Sequence, residues 1–268
     1  MTKINEVNIH PSAHVEKGAE LGSGVSIGPF SYVGSNVKLG NRCKVHSNVV
    51  LSGIVHADEE NHFHPFCSIG GAPQDLSYKD EPTKVVLGKN NIFREYVSVN
   101  RGTLKQDGMT IVGNNCLIMS YSHLAHDVCM GDFVRVVNSC NFAGHVKIGD
   151  KAIISGGTNV SQFISIGKGA FIGGGSAVDK DIPCYSVAMG NRVQIRGINI
   201  VGLKRLGIEK NVISEVVDFY RTMEIAPTSP KTFCLMPETV QEYGHNVIIA
   251  EMMEFILQSQ IGLPSFMS

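Results

Sequence analysis

Tryptophan is absent, and neither sign of charge dominates: the formal net charge of the 268 residues is −1. A near-neutral chain has no overall basic field, so nucleic acid is not an expected partner. No run of 18 apolar residues occurs, so no membrane span is expected. The N-terminal MTKINEVNIH lacks a basic start followed by an apolar run and does not read as a signal peptide. The seven cysteines (Cys43, Cys67, Cys116, Cys129, Cys140, Cys184, Cys234) are odd in number and scattered, with no CxxC pair. That argues against a zinc ribbon or a thioredoxin-type site; they read as reduced, mostly buried thiols of a cytoplasmic protein. Glycine, by contrast, is abundant (29 residues), and a 43% hydrophobic content suffices for a folded core.

An internal repeat organises the chain. Stepping by six from Ile9 gives Val15, Leu21, Ile27, Val33, Leu39, Val45, Leu51, Ala57, Phe63 and Ile69. The phase resumes at Leu87, Phe93 and Val99, and again at Val112, continuing through Ile118, Leu124, Met130, Val136, Phe142, Ile148, Ile154, Val160, Ile166 and Ile172 to Val178. None of these 26 positions is polar. The next residue is often glycine (Gly22, Gly28, Gly34, Gly40, Gly70, Gly88, Gly113, Gly131, Gly149, Gly167, Gly173), as expected where the backbone takes an unusual turn conformation. A period of six fits neither a 3.6-residue helix nor a hairpin meander. It fits short strands between sharp corners, three hexads closing one triangular turn of about 18 residues, with turns stacked ~4.8 Å apart. The expected fold is all-β: a left-handed parallel β-helix of hexapeptide repeats with a small C-terminal α-helical domain.

Two breaks interrupt the phase, at 71–86 (GAPQDLSYKDEPTKVV) and 101–111 (RGTLKQDGMTI). Such loops project outward from solenoid corners and are commonly functional. After Val178 the pattern fades, and apolar residues at a three-to-four spacing (Val212, Val216, Phe219, Tyr220, Met223) predict a helix over 209–223. A second helical segment carries Val240, Tyr243, Val247, Met252, Phe255 and Ile256 as its stripe, with Pro237 in its first turn. Residues 1–190 are thus expected to form the β-helix with its two loops, and residues 191–268 the helical domain.

The chemistry concentrates at SYSHLAHD (120–127). Leu124 points inward, so His123 and His126 flank it, and Asp127 follows. One turn on from His126 lies Gly144, with His145 beside it. An imidazole can take a proton from an alcohol near neutral pH, a carboxylate fixes its tautomer, and a free backbone N–H can hold an oxyanion. No Ser or Cys is placed as a nucleophile, so direct transfer is simpler than a covalent intermediate. Two other readings stay open. The histidines could be merely solvated corner residues; His62 and His64, which alternate around the inward Phe63, read as surface residues. Alternatively, His123, His126 and His145 could bind zinc, as in hexapeptide β-helices of the γ-carbonic anhydrase class. Gly173–Gly175 is no P-loop, since no Lys-Ser/Thr follows; it keeps a face clear of side chains.

The hexad array, GAPQDLSYKDEPT, NRGT, SHLAHD, FAGH, GNRV and GINIVGLKRLG together resemble the acyl-[acyl-carrier-protein]–UDP-N-acetylglucosamine O-acyltransferase family, over about residues 5–225. The resemblance implies a homotrimer with sites in clefts between adjacent β-helices, and no cofactor or metal is expected. It implies transfer of a 3-hydroxyacyl chain from acyl carrier protein to the sugar 3-position of UDP-N-acetylglucosamine, the first step of lipid A biosynthesis. On this resemblance His126 is the general base, Asp127 its partner and the Gly144 N–H the oxyanion donor. Gln74 and Asp75 bind the glucosamine, and His123 and His145 contact the nucleotide sugar. Gln162 and Gly174 border the acyl groove, and Asn199 and Arg205 lie near the nucleotide. Lys204, Arg205 and Lys210 are suited to attract the acidic carrier protein. The chain departs from the family's pattern at Asn100 and Ser161 (His there), Val201 (Glu), Leu206 (Arg) and Ser77 (Lys), and it adds Arg192 and Arg196. The altered pocket motivates a second acceptor, the 3-amino sugar UDP-GlcNAc3N, which would form an amide.

Overall fold

The computed structural model describes residues 6–267. Residues 1–5 and Ser268, the outer ends of the two expected domains and half of the segment read for a signal peptide, lie outside the described residues. Three sheets of 11, 9 and 8 strands form the faces of a prism. Successive strands step from face to face, and each pairs in parallel with the strand one coil on, so that Ile9 lies against Ile27 and Leu124 against Phe142. This is the left-handed parallel β-helix that the repeat predicts. From Ile27 to Val178 every repeat position is buried; Ile9, Val15 and Leu21 are partly open because they belong to the first coil, which is stacked on one side only among the described residues.

The periodicity missed a second buried row, two residues before each aliphatic. It holds small groups: Val25, Val37, Cys43, Cys67, Cys116, Val128, Cys140, Ala152 and Ala170, with Ser31, Asn61, Asn91, Ser122 and Thr158 among them. The polar members bond to the next coil, as Asn91 Nδ2 does to Gly113 O (2.9 Å) and Ser122 Oγ to Val137 O (3.1 Å). This row accounts for four of the scattered cysteines. Burial raises the thiols of Cys67 to about 12 and Cys116 to about 11, which keeps them unreactive. All seven cysteines are free, and only Cys129 is not buried.

The glycines are there for a different reason from the one expected. Of the eleven that follow a repeat residue, only Gly70 has positive φ (86°). The others lack room, Gly34 excepted: a Cβ on Gly40 would stand 2.6 Å from the Asp58 carbonyl carbon, and one on Gly167 2.4 Å from Cys184 N, in the next coil. The left-handed corner residue lies three after the repeat position instead and is usually not glycine: Phe66, Tyr96, Tyr121, Asp127, His145 and Phe163 all have φ between 62° and 67°.

The two breaks are shorter than their phase implied. Strands resume at Lys84–Leu87 and Met109–Val112, because Val85 and Thr110 already belong to the second buried row. Both loops leave the same face, after strands Ser68–Gly71 and Ser98–Asn100, in consecutive coils. Strand His123–Leu124 follows directly above them.

Beyond the prism, Ser186–Met189 adds a parallel strand and Gln194–Ile198 pairs back on it antiparallel, two strands that the sequence reading did not anticipate. Among the described residues five helices follow rather than two: α1 (Ile200–Arg205), α2 (Lys210–Ile225), α3 (Pro230–Leu235), α4 (Pro237–Tyr243) and α5 (Val247–Gln258). Helix α2 buries Ile213 rather than Val212 alongside Val216, Phe219, Tyr220 and Met223. The expected single stripe over Val240–Ile256 is split by the turn at Gly244–Asn246. Asn246 Oδ1 caps α5 by accepting from Ile248 N (3.0 Å), and the change of phase leaves Val240 and Val247 exposed. These helices share a second core with Cys184, Tyr185 and Ile195. Across it, Glu251 accepts a short hydrogen bond from Tyr185 and pairs with Lys168 (2.7 Å). Among the described residues no helix is long and apolar enough to cross a membrane.

Three substitutions separate core burial from close coil contact. Ile154→Asp places an unpaired charge in the fully buried stack and should cost more than about 4 kcal/mol, abolishing the cooperative melt in circular dichroism. Gly40→Ala should lower the melting temperature by about 5 °C. Gly34→Ala, where the nearest atom is 3.5 Å from the new Cβ, should leave it unchanged or slightly raised.

Candidate active site

The corner after strand His123–Leu124 carries His126 and Asp127, and the coils above bring Gly144 and His145, then Gln162 and Phe163, over them. Both His126 and Asp127 are buried rather than solvated. Asp127 Oδ2 lies 2.8 Å from His126 Nδ1. A carboxylate can only accept there, so Nδ1 carries the proton and Nε2 presents its lone pair. Asp127 is itself fixed by Thr103, whose N–H donates to Oδ1 (2.8 Å) and whose hydroxyl donates to Oδ2 (2.7 Å). Its own N–H donates to Thr110 Oγ1 (2.9 Å).

Gly144 is sterically required. A Cβ there would meet His126 Cε1 at 2.4 Å and Nε2 at 2.8 Å. Its N–H donates to no acceptor among the described residues. His145 stands edge-on to His126 (5.1 Å) and stacks on Phe163 (4.6 Å). Its Nδ1 meets Gln106 Oε1 at 2.8 Å, and its Nε2 lies 3.7 Å from Asp127 Oδ2. Burial holds the His145 ring below the usual imidazole range, opposed by the Asp127 charge. Burial likewise lowers His123, whose Nδ1 pairs with Ser98 Oγ (2.7 Å).

The first loop reaches this corner through Asp75. Its Oδ1 accepts from Ser77 N (2.9 Å) and Ser77 Oγ (2.8 Å), and its Oδ2 meets Lys105 Nζ (2.6 Å). These donors, Lys105 first, hold the carboxyl well below its usual range. Gln74 beside it is exposed. Arg101 anchors the loop root, donating to Gly70 O (2.7 Å) and lying over the Tyr78 ring.

One chain does not gather every residue singled out by sequence. Gly174 follows a strand of the first face and so lies at a different corner from His126. A Cβ on it would approach nothing closer than Gly156 O, at 3.3 Å. Asn199 and Arg205 lie at the third corner. There the Asn199 side chain caps α1 at Gly202 N (2.8 Å) and donates to Gly169 O (2.9 Å). With Phe133, Lys151, Val201 and Leu206 they line a cleft of about 650 Å³. Of the departures, Ser161 and Val201 are exposed, and Asn100 is buried with its Oδ1 unpartnered among the described residues. Arg192 pairs with Asp179 (2.5 Å). His62 and His64 are half-buried rather than free surface groups, with His64 stacked on His46 (4.7 Å).

Among the described residues, His126, Asp127 and His145 form the one group whose donor atoms could share a cation. His123 is not part of it, so the three-histidine set of the zinc reading is not assembled within a chain. Both Asp127 oxygens are already engaged by Thr103 and His126. Sequence reasoning missed Thr103, Thr110, Lys105, Gln106 and Phe163. Thr103 stood in the NRGT motif; the others carried no signal that their positions would supply.

Comparison with known proteins identifies the family of the chain. A family model described as "Udp N-acetylglucosamine O-acyltransferase; Domain 2" matches residues 181–263, and one for the bacterial transferase hexapeptide matches 18–53. The chain is 48% identical over 208 residues to an acyl-[acyl-carrier-protein]–UDP-N-acetylglucosamine O-acyltransferase of Saccharophagus degradans, covering 78% of this chain and 81% of that protein. To the Thermodesulfovibrio yellowstonii enzyme of the same description it is 43% identical, covering 80% and 83%. The solved UDP-N-acetylglucosamine acyltransferase of Campylobacter jejuni superposes with a TM-score of 0.91 at 33% identity, covering 97% of this chain and 100% of that one. The Francisella novicida structure gives 0.91 at 33%, covering 96% and 94%. The chain belongs to the acyl-[acyl-carrier-protein]–UDP-N-acetylglucosamine O-acyltransferase family.

Proposed function

We propose that the protein transfers a 3-hydroxyacyl chain from acyl carrier protein to the 3-hydroxyl of UDP-N-acetylglucosamine, opening lipid A biosynthesis. The observation that carries the mechanism is the His126–Asp127 pair pressed against Gly144. His126 Nε2 takes the proton of the sugar hydroxyl as its oxygen attacks the thioester carbonyl. The Gly144 N–H holds the resulting oxyanion. Collapse breaks the C–S bond, and the departing carrier thiolate takes the proton from His126. Asp127 keeps Nδ1 protonated and offsets the imidazolium charge. Neither the amide-forming acceptor nor a zinc-dependent hydration is favoured, since the relatives are O-acyltransferases.

In this reading Gln74, Asp75, His123 and His145 bind the sugar nucleotide, Gln162 and Gly174 border the acyl groove, and Asn199 and Arg205 meet the nucleotide. Because Gly174, Asn199 and Arg205 lie at other corners than His126, the complete site needs neighbouring prisms, and we infer a homotrimer. The exposed stacked column Phe66–Tyr96–Tyr121 supplies an apolar edge for such packing. We divide the chain near residue 190, where the prism core gives way to the helical one, although Cys184 and Tyr185 pack with the helices and Val193 with the prism. We place the enzyme in the cytoplasm, on its unpaired thiols and its two substrates.

Mass spectrometry of products from 3-hydroxyacyl carrier proteins of graded length and UDP-N-acetylglucosamine tests this directly. His126→Ala should lose about 10²–10⁴ in turnover while keeping a cooperative melt. Gly144→Ala, which must push the imidazole aside, should lose about 10²-fold or more. A His126→Ala protein that still turns over normally would end the general-base reading. Gly174→Met should shorten the preferred acyl chain; an unaltered preference would remove Gly174 from the groove.

A further inference from the structure

The second insertion touches the site three times within four residues. Thr103 holds Asp127, Lys105 pairs with Asp75, and Gln106 meets His145, while Leu104 between them turns out to solvent. The loop is pinned at both ends. Gly108 N donates back to Thr103 O (3.1 Å), and a Cβ on Gly102 would stand 2.2 Å from Met109 N. It therefore presents its side chains from a fixed base.

We propose that Lys105 and Gln106 are positioning residues for the acceptor sugar nucleotide, acting through Asp75 and His145. The inference rests on the acceptor reading given above. Asp75 is only 13% exposed at its side chain, and its two oxygens are divided between Ser77 and Lys105. Lys105 thus fixes the carboxylate across two insertions 30 residues apart. On His145, Gln106 Oε1 accepts from Nδ1, so the neutral ring keeps Nε2 as an acceptor toward the corner. Phe163 holds the plane of that ring. Lys105 is half exposed, and an exposed ion pair stabilises a fold by about 1 kcal/mol at most. Its contribution to folding is therefore small, and its effect should appear in the affinity for one substrate.

The test is steady-state kinetics on the full chain, varying UDP-N-acetylglucosamine at saturating acyl carrier protein and then the reverse. Lys105→Ala and Gln106→Ala should each raise KM for the sugar nucleotide about 10-fold, leave KM for the carrier unchanged and keep kcat within about twofold. Lys105→Arg should restore most of the loss. Lys105→Ala combined with Asp75→Ala should cost no more than Asp75→Ala alone, because the two act as one. Gln106→Glu sets a carboxylate against Nδ1 and, added to the field of Asp127, Asp75, His126 and Lys105 already facing the ring, raises the pKa of His145. The acid limb of kcat/KM for the sugar should then move to higher pH. Variants that change only the melting temperature or kcat, or additive losses in the double variant, would overturn the proposal. A wild type that makes no acylated product would instead end the reaction reading. Calorimetric binding of UDP-N-acetylglucosamine to wild type and variants would then decide the role of Lys105 and Gln106 alone, an unchanged Kd counting against it.

Discussion

Everything in this molecule depends on one coil lying directly on the next. The parallel ladder sets a spacing of ~4.8 Å, and at the corners the backbones approach so closely that a Cβ on Gly40, Gly149 or Gly167 would stand 2.6 Å or less from the backbone above it. Nothing can slip, because a one-residue shift would turn every inward aliphatic outward. The same register that stacks Leu124 under Phe142 puts Gly144 over His126 and His145 over Asp127. Site geometry and fold stability are therefore set by the same contact.

The chemistry sits where the backbone is least comfortable. Asp127 and His145 occupy left-handed corner positions, which an L-residue adopts only at a cost. At most corners the residue there points into solvent. Here Asp127 is covered by the second insertion and satisfied at every oxygen by Thr103 and His126, so a buried carboxylate is both paired and hydrogen-bonded. A carboxylate held by three donors cannot swing away from the imidazole. The tautomer that leaves His126 Nε2 free is set before any substrate arrives.

The prism was legible because a hexad repeat states its own geometry. Stepping by six identified the inward residues, and stepping by one turn from His126 found Gly144. What the step could not state was why glycine follows so many repeat residues: sequence suggests φ, whereas the limit is space at the next coil. Single-residue spacing also hid the second buried row, where Cys67 and Asn91 alternate with valines and so look patternless. The helices beyond residue 198 were blurred for a different reason. Val240, Tyr243, Val247 and Met252 fit one helical stripe until Asn246 caps a new helix and rotates the phase. Lys105 and Gln106 were invisible, because a residue in an irregular loop declares its partner only once the loop has a path.

That path is less arbitrary than it looks. Both insertions leave the prism at the same corner, in the two coils immediately below His126. An excursion from a stacked coil cannot pass through its neighbours, so it must lie along the outside of the corner. Two excursions stacked at one corner must lie against each other. Lys105 meeting Asp75, 30 residues away, is then a consequence of where the repeats were interrupted. The corner just above inherits both loops as its outer wall, with Thr103 at its base and Gln106 at its rim. The β-helix by itself offers only flat faces and solvated edges, on which no proton could be held in a fixed place. Interrupting the repeat twice at one corner converts an edge into a recess, and the recess falls on the coil that carries the histidine and the carboxylate.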